Sequence, residues 1–300
     1  MELWIIITIA AAFFQNIRST FQKYLKETVG TTGATFVRFG YGVPFAFIYL
    51  VLLQQVFETN TPEFTSNFWL WVSIAAMAQI AATVLLLQTF AYRNFVVGSA
   101  YSRTEPAQTA LFALVLFGEA LSLGGIFAIL ISTIGVILLS VARTELTTKS
   151  LLSALASPAA VLGLASGTLF GLAAVGYRAA TQGLLHDLFL MRSATTLCVA
   201  ISLQTVVMLI WIFWKEREEF SKIVAAWKPA LLVGFTGATA SFGWFTAFTL
   251  QQAALVKVVA QIEMIFTFAS AVFFFKESIN RSEIAGCLLI ITGIIMLILL

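Results

Sequence analysis

Charge is what this sequence has least of. Lys, Arg, Asp and Glu together make up 10% of the 300 residues, and His186 and Asp187 are the only members of their types. A soluble domain carries roughly 25% charged residues, so this chain lacks the material for a soluble surface. The hydrophobic share of 60% and the mean hydropathy of +0.97 indicate an integral membrane protein.

The chemistry of enzymes and pumps is also missing from the sequence. With one histidine and one aspartate, side by side, the chain has no catalytic triad, HExxH metal site, P-loop or dinucleotide fingerprint. An enzyme or an ATP-driven pump is therefore disfavoured, and no cofactor or metal is expected. Cys198 and Cys287 lie in separate apolar segments, where they are expected to pack rather than to form a disulfide.

Long apolar runs are what the chain has in abundance. A membrane-spanning helix needs about 20 mostly apolar residues. Continuous runs such as "LLIITGIIMLILL" favour helices over the alternating pattern of a β-barrel. We predict an all-α membrane protein with ten spans. They are 3–22, 32–55, 68–90, 94–117, 121–141, 158–180, 187–214, 229–250, 254–275 and 280–300.

The sequence repeats itself at an offset of 158 residues. Glu105 and Glu263 are separated by this offset, and so are Gly135 and Gly293. An arginine also stands early in each second span of the two halves, as Arg38 and Arg192. We therefore predict two five-helix repeats, 1–145 and 150–300. Because five is odd, the second repeat must enter the membrane from the opposite side, an arrangement common among secondary transporters.

Apart from Arg178, Asp187, Arg281 and Glu283 at the ends of spans, seven charged residues fall inside the predicted spans. They are Arg18, Arg38, Arg103, Glu105, Arg192, Lys257 and Glu263. Lys257 is expected to extend to the membrane surface, whereas Arg38 and Arg192 could either do the same or serve a cavity. Glu105 and Glu263 lie near mid-span and are too short to reach the surface. Each either forms a buried ion pair with an arginine or faces a cavity and binds a solute amine or a proton.

The stretch around Pro106 predicts a broken helix. Pro106 has no N–H to donate to the carbonyl of Ser102, and such a carbonyl must find protein or cavity water within a membrane. Arg103 and Glu105 are about 200° apart around a helix, so we expect Glu105 to face a cavity and Arg103 a neighbouring helix. Glu263 has no proline beside it, and a structural role is predicted for this acid.

Other polar residues in the spans give weaker signals. Trp244, in "GFTGATASFGWF", could stack on a flat solute or anchor the helix at the membrane surface. Gln79 is a further candidate for a cavity wall. Gly163, Gly167 and Gly171 recur every four residues and predict a face that another helix approaches closely.

These features together resemble the EamA-type family of the drug/metabolite transporter superfamily. The resemblance rests on ten spans in two halves, on Arg38 and Arg192, and on the "GE" and "KE" turns before each fifth span. It implies a secondary transporter that exports small metabolites such as amino acids, or drug-like compounds, and it fixes no substrate. Glu105, Arg38, Arg192, Glu263, Arg103, Trp244 and Gln79 are the predicted binding residues.

Lysine and arginine predict the orientation. Eleven lie in loops on the side opposite the termini: Lys23, Lys26, Arg93, Arg143, Lys149, Lys215, Arg217, Lys222, Lys228, Lys276 and Arg281. Only Arg178 lies on the terminal side. The positive-inside rule then places both termini outside the cytoplasm, although many members of the resembled family are thought to have cytosolic termini.

The sequence thus favours a secondary transporter of amino-acid-like or other zwitterionic solutes, working by alternating access. A gradient of protons or of the solute itself would supply the energy. A channel, a scaffold or a membrane enzyme is the alternative. We expect a bacterial cytoplasmic (inner) membrane location, a small-molecule substrate and the lipid bilayer as partners, no nucleic acid, and a functional monomer with a dimer as the alternative.

Overall fold

The computed structural model describes residues 2–89, 101–141, 157–273 and 280–299. Over these residues the chain is helical, and its one pairing of extended backbone is an isolated bridge between Glu63 and Leu185. The described helices are α1 (Leu3–Gly40), α2 (Val43–Phe57), α3 (Ser66–Thr89), α4 (Glu105–Phe117), α5 (Leu123–Val141), α6 (Pro158–Gln182), α7 (Phe189–Lys215), α8 (Arg217–Ala225), α9 (Trp227–Leu250), α10 (Ala253–Ala260), α11 (Ile262–Phe273) and α12 (Arg281–Leu299).

Eight stretches of described helix are long and apolar enough to cross a membrane. They are Leu3–Gln22, Thr28–Phe57, Ser66–Thr89, Leu123–Val141, Pro158–Gln182, Phe189–Lys215, Trp227–Leu250 and Arg281–Leu299. Each corresponds to a predicted span, with ends that differ by a few residues. The chain is therefore an all-helical integral membrane protein over the residues described, as the hydropathy predicts.

The fourth and ninth predicted spans differ from the other eight. The start of the fourth and the end of the ninth lie outside the described residues, which omit 90–100 and 274–279. In the fourth span a turn at Arg103 and Thr104 precedes α4, a shorter apolar helix. In the ninth span Gln261 separates α10 from α11. These two spans are interrupted rather than continuous, and the count of ten stays a prediction.

The first two spans meet at a glycine turn inside α1. Gly30 has φ 66° and ψ −174°, a conformation that glycine adopts without the steric cost of a Cβ atom. A Cβ on Gly30 would lie 3.2 Å from a carboxylate oxygen of Glu219, and one on Gly33 would lie 2.8 Å away. The short helix α8, which carries Glu219, therefore packs into a notch that these two glycines leave open.

By their internal contacts the residues form two compact units. Unit 1 comprises Met1–Ile80 and Gly176–Gln251, and unit 2 comprises Ala81–Val175 and Gln252–Leu300. The units group residues by contact, whereas the predicted halves 1–145 and 150–300 group them by repeated sequence. The predicted halves therefore stay a prediction that the two units do not test.

In unit 2, α5 and α12 pack backbone against backbone. A Cβ on Gly135 would lie 2.8 Å from the Gly286 carbonyl, and one on Gly293 would lie 3.0 Å from the Ala128 carbonyl. The repeat-related glycines Gly135 and Gly293 thus belong to one helix–helix interface. At the start of α12, the Asn280 N–H donates to Glu283 at 2.8 Å, as its "NRSE" capping-box sequence predicts.

Candidate functional site

The interruption of the fourth span lies in unit 2, directly before Glu105. Glu105 and Pro106 are the first two residues of α4, the position where the missing N–H of proline costs no helical hydrogen bond. The Thr104 hydroxyl donates to the Tyr101 carbonyl at 2.8 Å and accepts from the Gln108 side-chain amide at 2.9 Å. Side-chain hydrogen bonds therefore hold the chain where the helix stops and restarts.

The glycine face of α6 receives this interruption. A Cβ on Gly167 would lie 2.9 Å from the Ser102 carbonyl and 3.0 Å from the Gln108 side-chain oxygen. A Cβ on Gly171 would lie 3.1 Å from Thr109. The close approach predicted from the glycine spacing is thus present, and its partner is the broken segment around Pro106.

The ninth span is interrupted at Gln261, the position related to Arg103 by the 158-residue repeat. The Gln261 N–H donates to the Val258 carbonyl at 3.2 Å, and the Gln261 carbonyl accepts from Met264 at 3.0 Å. Both bonds join residues three apart, the tighter spacing of a 3₁₀ turn. An interruption beside Glu263 was not predicted, because this segment has no proline. The interruption consists of this single tight turn, in which Gln261 keeps a right-handed helical backbone conformation.

The two interruptions are joined by reciprocal ion pairs. The Lys257 ammonium lies 2.7 Å from a Glu105 carboxylate oxygen, and the Arg103 guanidinium lies 3.9 Å from Glu263. Glu263, the later residue of the ninth span, pairs with Arg103, the earlier residue of the fourth span. The two segments therefore run antiparallel. The expectation that Lys257 extends to the membrane surface is wrong, since its ammonium pairs with Glu105 instead.

These four charges are neutral as a set. Two cations and two carboxylates form the pairs, and Glu263 is 9% exposed. A charge at the centre of a membrane costs about 2.5–3.5 kcal/mol on insertion scales, and reciprocal pairing reduces that cost. Such an array can exchange partners with an incoming molecule that carries both signs of charge, because every charged group then keeps a partner.

Unit 1 holds a polar network of a different kind, around Gln79. The Gln79 side-chain oxygen accepts from the Tyr177 hydroxyl at 3.0 Å and from the Gln204 amide at 2.7 Å. The same Gln204 amide lies within 3.2 Å of the Tyr177 oxygen, to which it donates. These three side chains are neutral, and each hydrogen-bonds the other two. The predicted cavity residue Gln79 is therefore part of a network that the protein completes by itself.

Trp244 and Arg38 also lie inside unit 1. Trp244 is buried, donates its indole N–H to Gln15 at 2.9 Å and stacks on Phe248. Arg38 is 6% exposed, so it is not extended to the surface of the unit. A Cβ on Gly237 would lie 3.3 Å from the Arg18 side chain and 3.5 Å from the Arg38 side chain. The aliphatic parts of both arginines therefore pack against this glycine.

Arg192 completes the set of predicted binding residues. It lies in the first turn of α7 and is half-buried. The structure therefore places Arg38, Arg192, Trp244 and Gln79 in unit 1, whereas Arg103, Glu105 and Glu263 lie in unit 2. In unit 2, Arg103 pairs with Glu263, and Glu105 pairs with Lys257 of the opposite interruption.

The profile of the EamA-like transporter family matches the chain twice, at residues 2–141 and 157–299. The chain belongs to the EamA-like transporter family. One solved crystal structure shares the fold of this EamA-like protein with a TM-score of 0.69, covering 99% of this chain and 96% of that chain at 14% identity. No curated protein matches the chain.

Two polar residues of this EamA-like protein were not among the predicted binding residues. Lys257 was set aside because it lies near a span end, and span position alone does not show a pairing with Glu105. Gln261 carried a signal, since the 158-residue offset aligns it with Arg103. The 158-residue offset thus identifies Gln261 when it is extended from the two acids to their polar neighbours.

Proposed function

We propose that this EamA-like protein is a secondary transporter that exports small amino-acid-like or other amphipathic, zwitterionic solutes by alternating access. A gradient of protons or of the solute supplies the energy. Arg103, Glu105 and Glu263 are the centre of the proposed site, together with Lys257. Arg38, Arg192 and Trp244, which lie in unit 1, stay predicted binding residues, whereas Gln79 is proposed to serve the hydrogen-bond network of that unit.

One observation carries the proposal: two interrupted helices exchange ion pairs at mid-span. In secondary transporters, solute and ion sites lie at discontinuous helices near the midplane, because backbone interruptions there are tolerated only in protein or beside a cavity. The pairs Lys257–Glu105 and Arg103–Glu263 put two signs of charge at such a place. A structural purpose alone would be served equally well by apolar packing.

The neutrality of the array favours a zwitterion as the solute. The carboxylate of a zwitterion can replace Glu105 as the partner of Lys257, while the ammonium of the zwitterion binds the released Glu105 carboxylate. The net charge of the site with its solute then stays zero. A purely cationic or anionic solute would leave one unit of charge without compensation in a medium of low dielectric constant. We therefore expect the protein to select solutes by charge before it selects them by shape.

A series of solutes of similar size that differ in charge at neutral pH tests the proposal. Purified protein in liposomes is given labelled L-serine or glycine betaine as zwitterions, choline as a cation and isethionate as an anion. We expect both zwitterions to move at least about tenfold faster than either ion, a difference of about 1.4 kcal/mol. Cells that are preloaded with labelled L-serine and express the protein should release the label faster than cells that do not express it.

Matched variants separate the site from unrelated charge pairs. The double variant Glu105→Gln with Lys257→Met removes the shorter pair and should lose the flux. Lys222→Met removes the exposed pair with Glu219 on α8, 3.2 Å long, and should keep the flux. Flux no greater than in empty liposomes, or equal flux for zwitterions and ions, would refute the proposal.

We further propose that the protein lies in a bacterial cytoplasmic membrane with both termini outside the cytoplasm. The support is the excess of lysine and arginine in the loops opposite the termini, which include α8. A cysteine placed at Ser221, in a variant whose Cys198 and Cys287 are replaced by serine, should resist an impermeant thiol reagent in intact cells. Ready labelling would reverse the orientation.

A further inference from the structure

The side-chain amide of Gln261 is the least satisfied amide among the residues described. Gln261 is 6% exposed, and both its nitrogen and its oxygen are buried without a hydrogen-bond partner. In the described ranges, every other glutamine or asparagine amide leaves at most one atom in this state. Buried amides are nearly always hydrogen-bonded, so this side chain indicates a partner that is not part of the protein.

The backbone of Gln261 and the apolar residues before it offer its side-chain amide no hydrogen-bond partner. Its backbone N–H and carbonyl are already used by Val258 and Met264 in the turn. The preceding residues Val258 and Val259 are apolar and fully buried. The backbone groups of Gln261 are thus used within the turn, and the side-chain amide is the part of this residue that is left without a partner.

Gln204 shows what this fold does with a buried amide that has a structural role. Gln204 is 2% exposed, and its amide donates to the Gln79 side chain at 2.7 Å, to the Tyr177 hydroxyl and to the Ala76 carbonyl. The two glutamines are thus similarly buried, and one is satisfied while the other is not. Burial alone does not account for the state of Gln261.

The chemistry of a primary amide defines what would satisfy it. It presents a donor and an acceptor side by side, so its complement presents an acceptor and a donor at the same spacing, as a carboxamide or a cyclic amide does. A carboxylate has no donor for the Gln261 oxygen, and an apolar group has neither function. We infer that Gln261 binds the amide edge of the transported solute, so that zwitterions bearing a carboxamide or cyclic amide are preferred.

The position of Gln261 fits this role and rests on the proposed transport function. Gln261 lies in the same interruption as Glu263 and two residues before it, while Arg103 occupies the related position of the other interruption. The ion pairs serve the charged groups of the solute, and Gln261 serves its neutral end. A site built to hydrogen-bond a solute group rejects analogues that lack the group.

L-Glutamine, L-glutamate and L-methionine form a matched set for the test. They share an α-ammonium and an α-carboxylate and have similar lengths, but only L-glutamine has an amide edge. We expect wild-type protein in liposomes to transport L-glutamine about tenfold faster than L-methionine, the ratio that one buried hydrogen-bonded pair provides. L-Glutamate should also be slow, because its side chain adds a charge and lacks the donor.

Gln261→Met replaces the amide with an apolar chain of nearly the same shape. The ratio of L-glutamine to L-methionine transport should fall to about one. The unfolding midpoint without solute should stay the same or rise, since an unsatisfied polar group has been removed. Gln204→Met is the matched control: its unfolding midpoint should fall, because Gln79 and Tyr177 lose a partner, while the ratio should stay at the wild-type value.

Binding to the wild-type protein gives a second readout that needs neither the variant nor transport. L-Glutamine should raise the unfolding midpoint of the wild-type protein more than L-methionine does. Equal stabilisation by the two amino acids, an unchanged transport ratio in Gln261→Met, or a large fall in the unfolding midpoint of Gln261→Met would overturn the inference. Selective stabilisation by L-glutamine with no flux of any zwitterion would instead refute the proposed transport function and leave the Gln261 site supported.

Discussion

The polar interiors of the two units differ in a way that separates architecture from function. In unit 1, Gln79, Tyr177 and Gln204 are neutral and hydrogen-bond one another. In unit 2, four charged residues of the interrupted helices pair across the two interruptions: Arg103 with Glu263, and Lys257 with Glu105. The hydrogen-bonding groups of the neutral network in unit 1 are already satisfied within the protein, so the network does not need a solute to complete it.

The ion pairs and Gln261 in unit 2 are the opposite case. In each ion pair, a solute group can replace the partner that carries the same charge. The Gln261 amide has no partner within the described protein. The difference teaches that the presence of polar residues in a membrane span does not itself indicate a site. What indicates a site is a polar group whose needs the protein meets only in part, or in an exchangeable way. Each of the following changes tests that distinction.

The largest effect is expected from Glu105→Gln. The Lys257 ammonium, 2.7 Å from Glu105, would lose its carboxylate while remaining in the protein interior. Removing one partner of a buried pair costs about 3–5 kcal/mol, so the unfolding free energy in detergent should fall by that order and zwitterion flux should be lost. Adding Lys257→Met should restore most of the stability but none of the flux.

The outcome of this pair of variants is decisive in either direction. Stability and flux that recover together in the double variant would make the pair a packing element with no binding role. Wild-type stability of the single variant Glu105→Gln would show that Lys257 does not depend on Glu105. Lys222→Met, whose partner lies on an exposed helix, serves as the control for loss of any lysine charge.

Much of the fold was predictable because membrane helices are coded by length and hydropathy. Eight spans, the capping box before α12 and the glycine face of α6 all follow from local sequence. Pro106 likewise located one interruption, since a residue without an N–H leaves a local signature. These features need no knowledge of what the segment touches.

The pairing within the site was beyond local sequence. Nothing near Lys257 distinguishes a lysine that reaches lipid headgroups from one that pairs with Glu105, because the difference depends on a segment about 150 residues away. The turn at Gln261 has no proline or glycine to mark it. Its two tight backbone hydrogen bonds form in the folded protein and are not a propensity of the residues.

A smaller effect is expected from Glu263→Gln. The Arg103–Glu263 distance is 3.9 Å and the Arg103 side chain is 35% exposed, so this pair is longer than the Lys257–Glu105 pair and its cation is more exposed. The loss of stability should be about 1–2 kcal/mol, between the values for exposed and buried pairs. Zwitterion flux should fall less than in Glu105→Gln.

The pH profile of flux extends the comparison of the two acids. Initial flux is measured from about pH 5.5 to about pH 8.5 for the wild type and both variants, with expression matched. An acid that carries a coupling proton must titrate during transport, so its replacement by glutamine should flatten the profile. Identical profiles in all three proteins would remove the proton from the proposed mechanism, and a larger effect of Glu263→Gln would reverse the assigned order of the two acids.

The smallest effect is expected in unit 1, from Tyr177→Phe. This change removes the hydroxyl that donates to Gln79 at 3.0 Å and accepts from Gln204, while the ring that packs on Phe245 at 4.2 Å between centroids is kept. Gln79 and Gln204 still hydrogen-bond each other, so the loss should be about 1 kcal/mol of unfolding free energy, the value of one net hydrogen bond. Flux, its zwitterion preference and its pH profile should match the wild type, because the hydrogen-bonding groups of this network are satisfied within the protein and are not needed to bind a solute. A changed solute preference in Tyr177→Phe would show that Gln79 takes part in solute recognition.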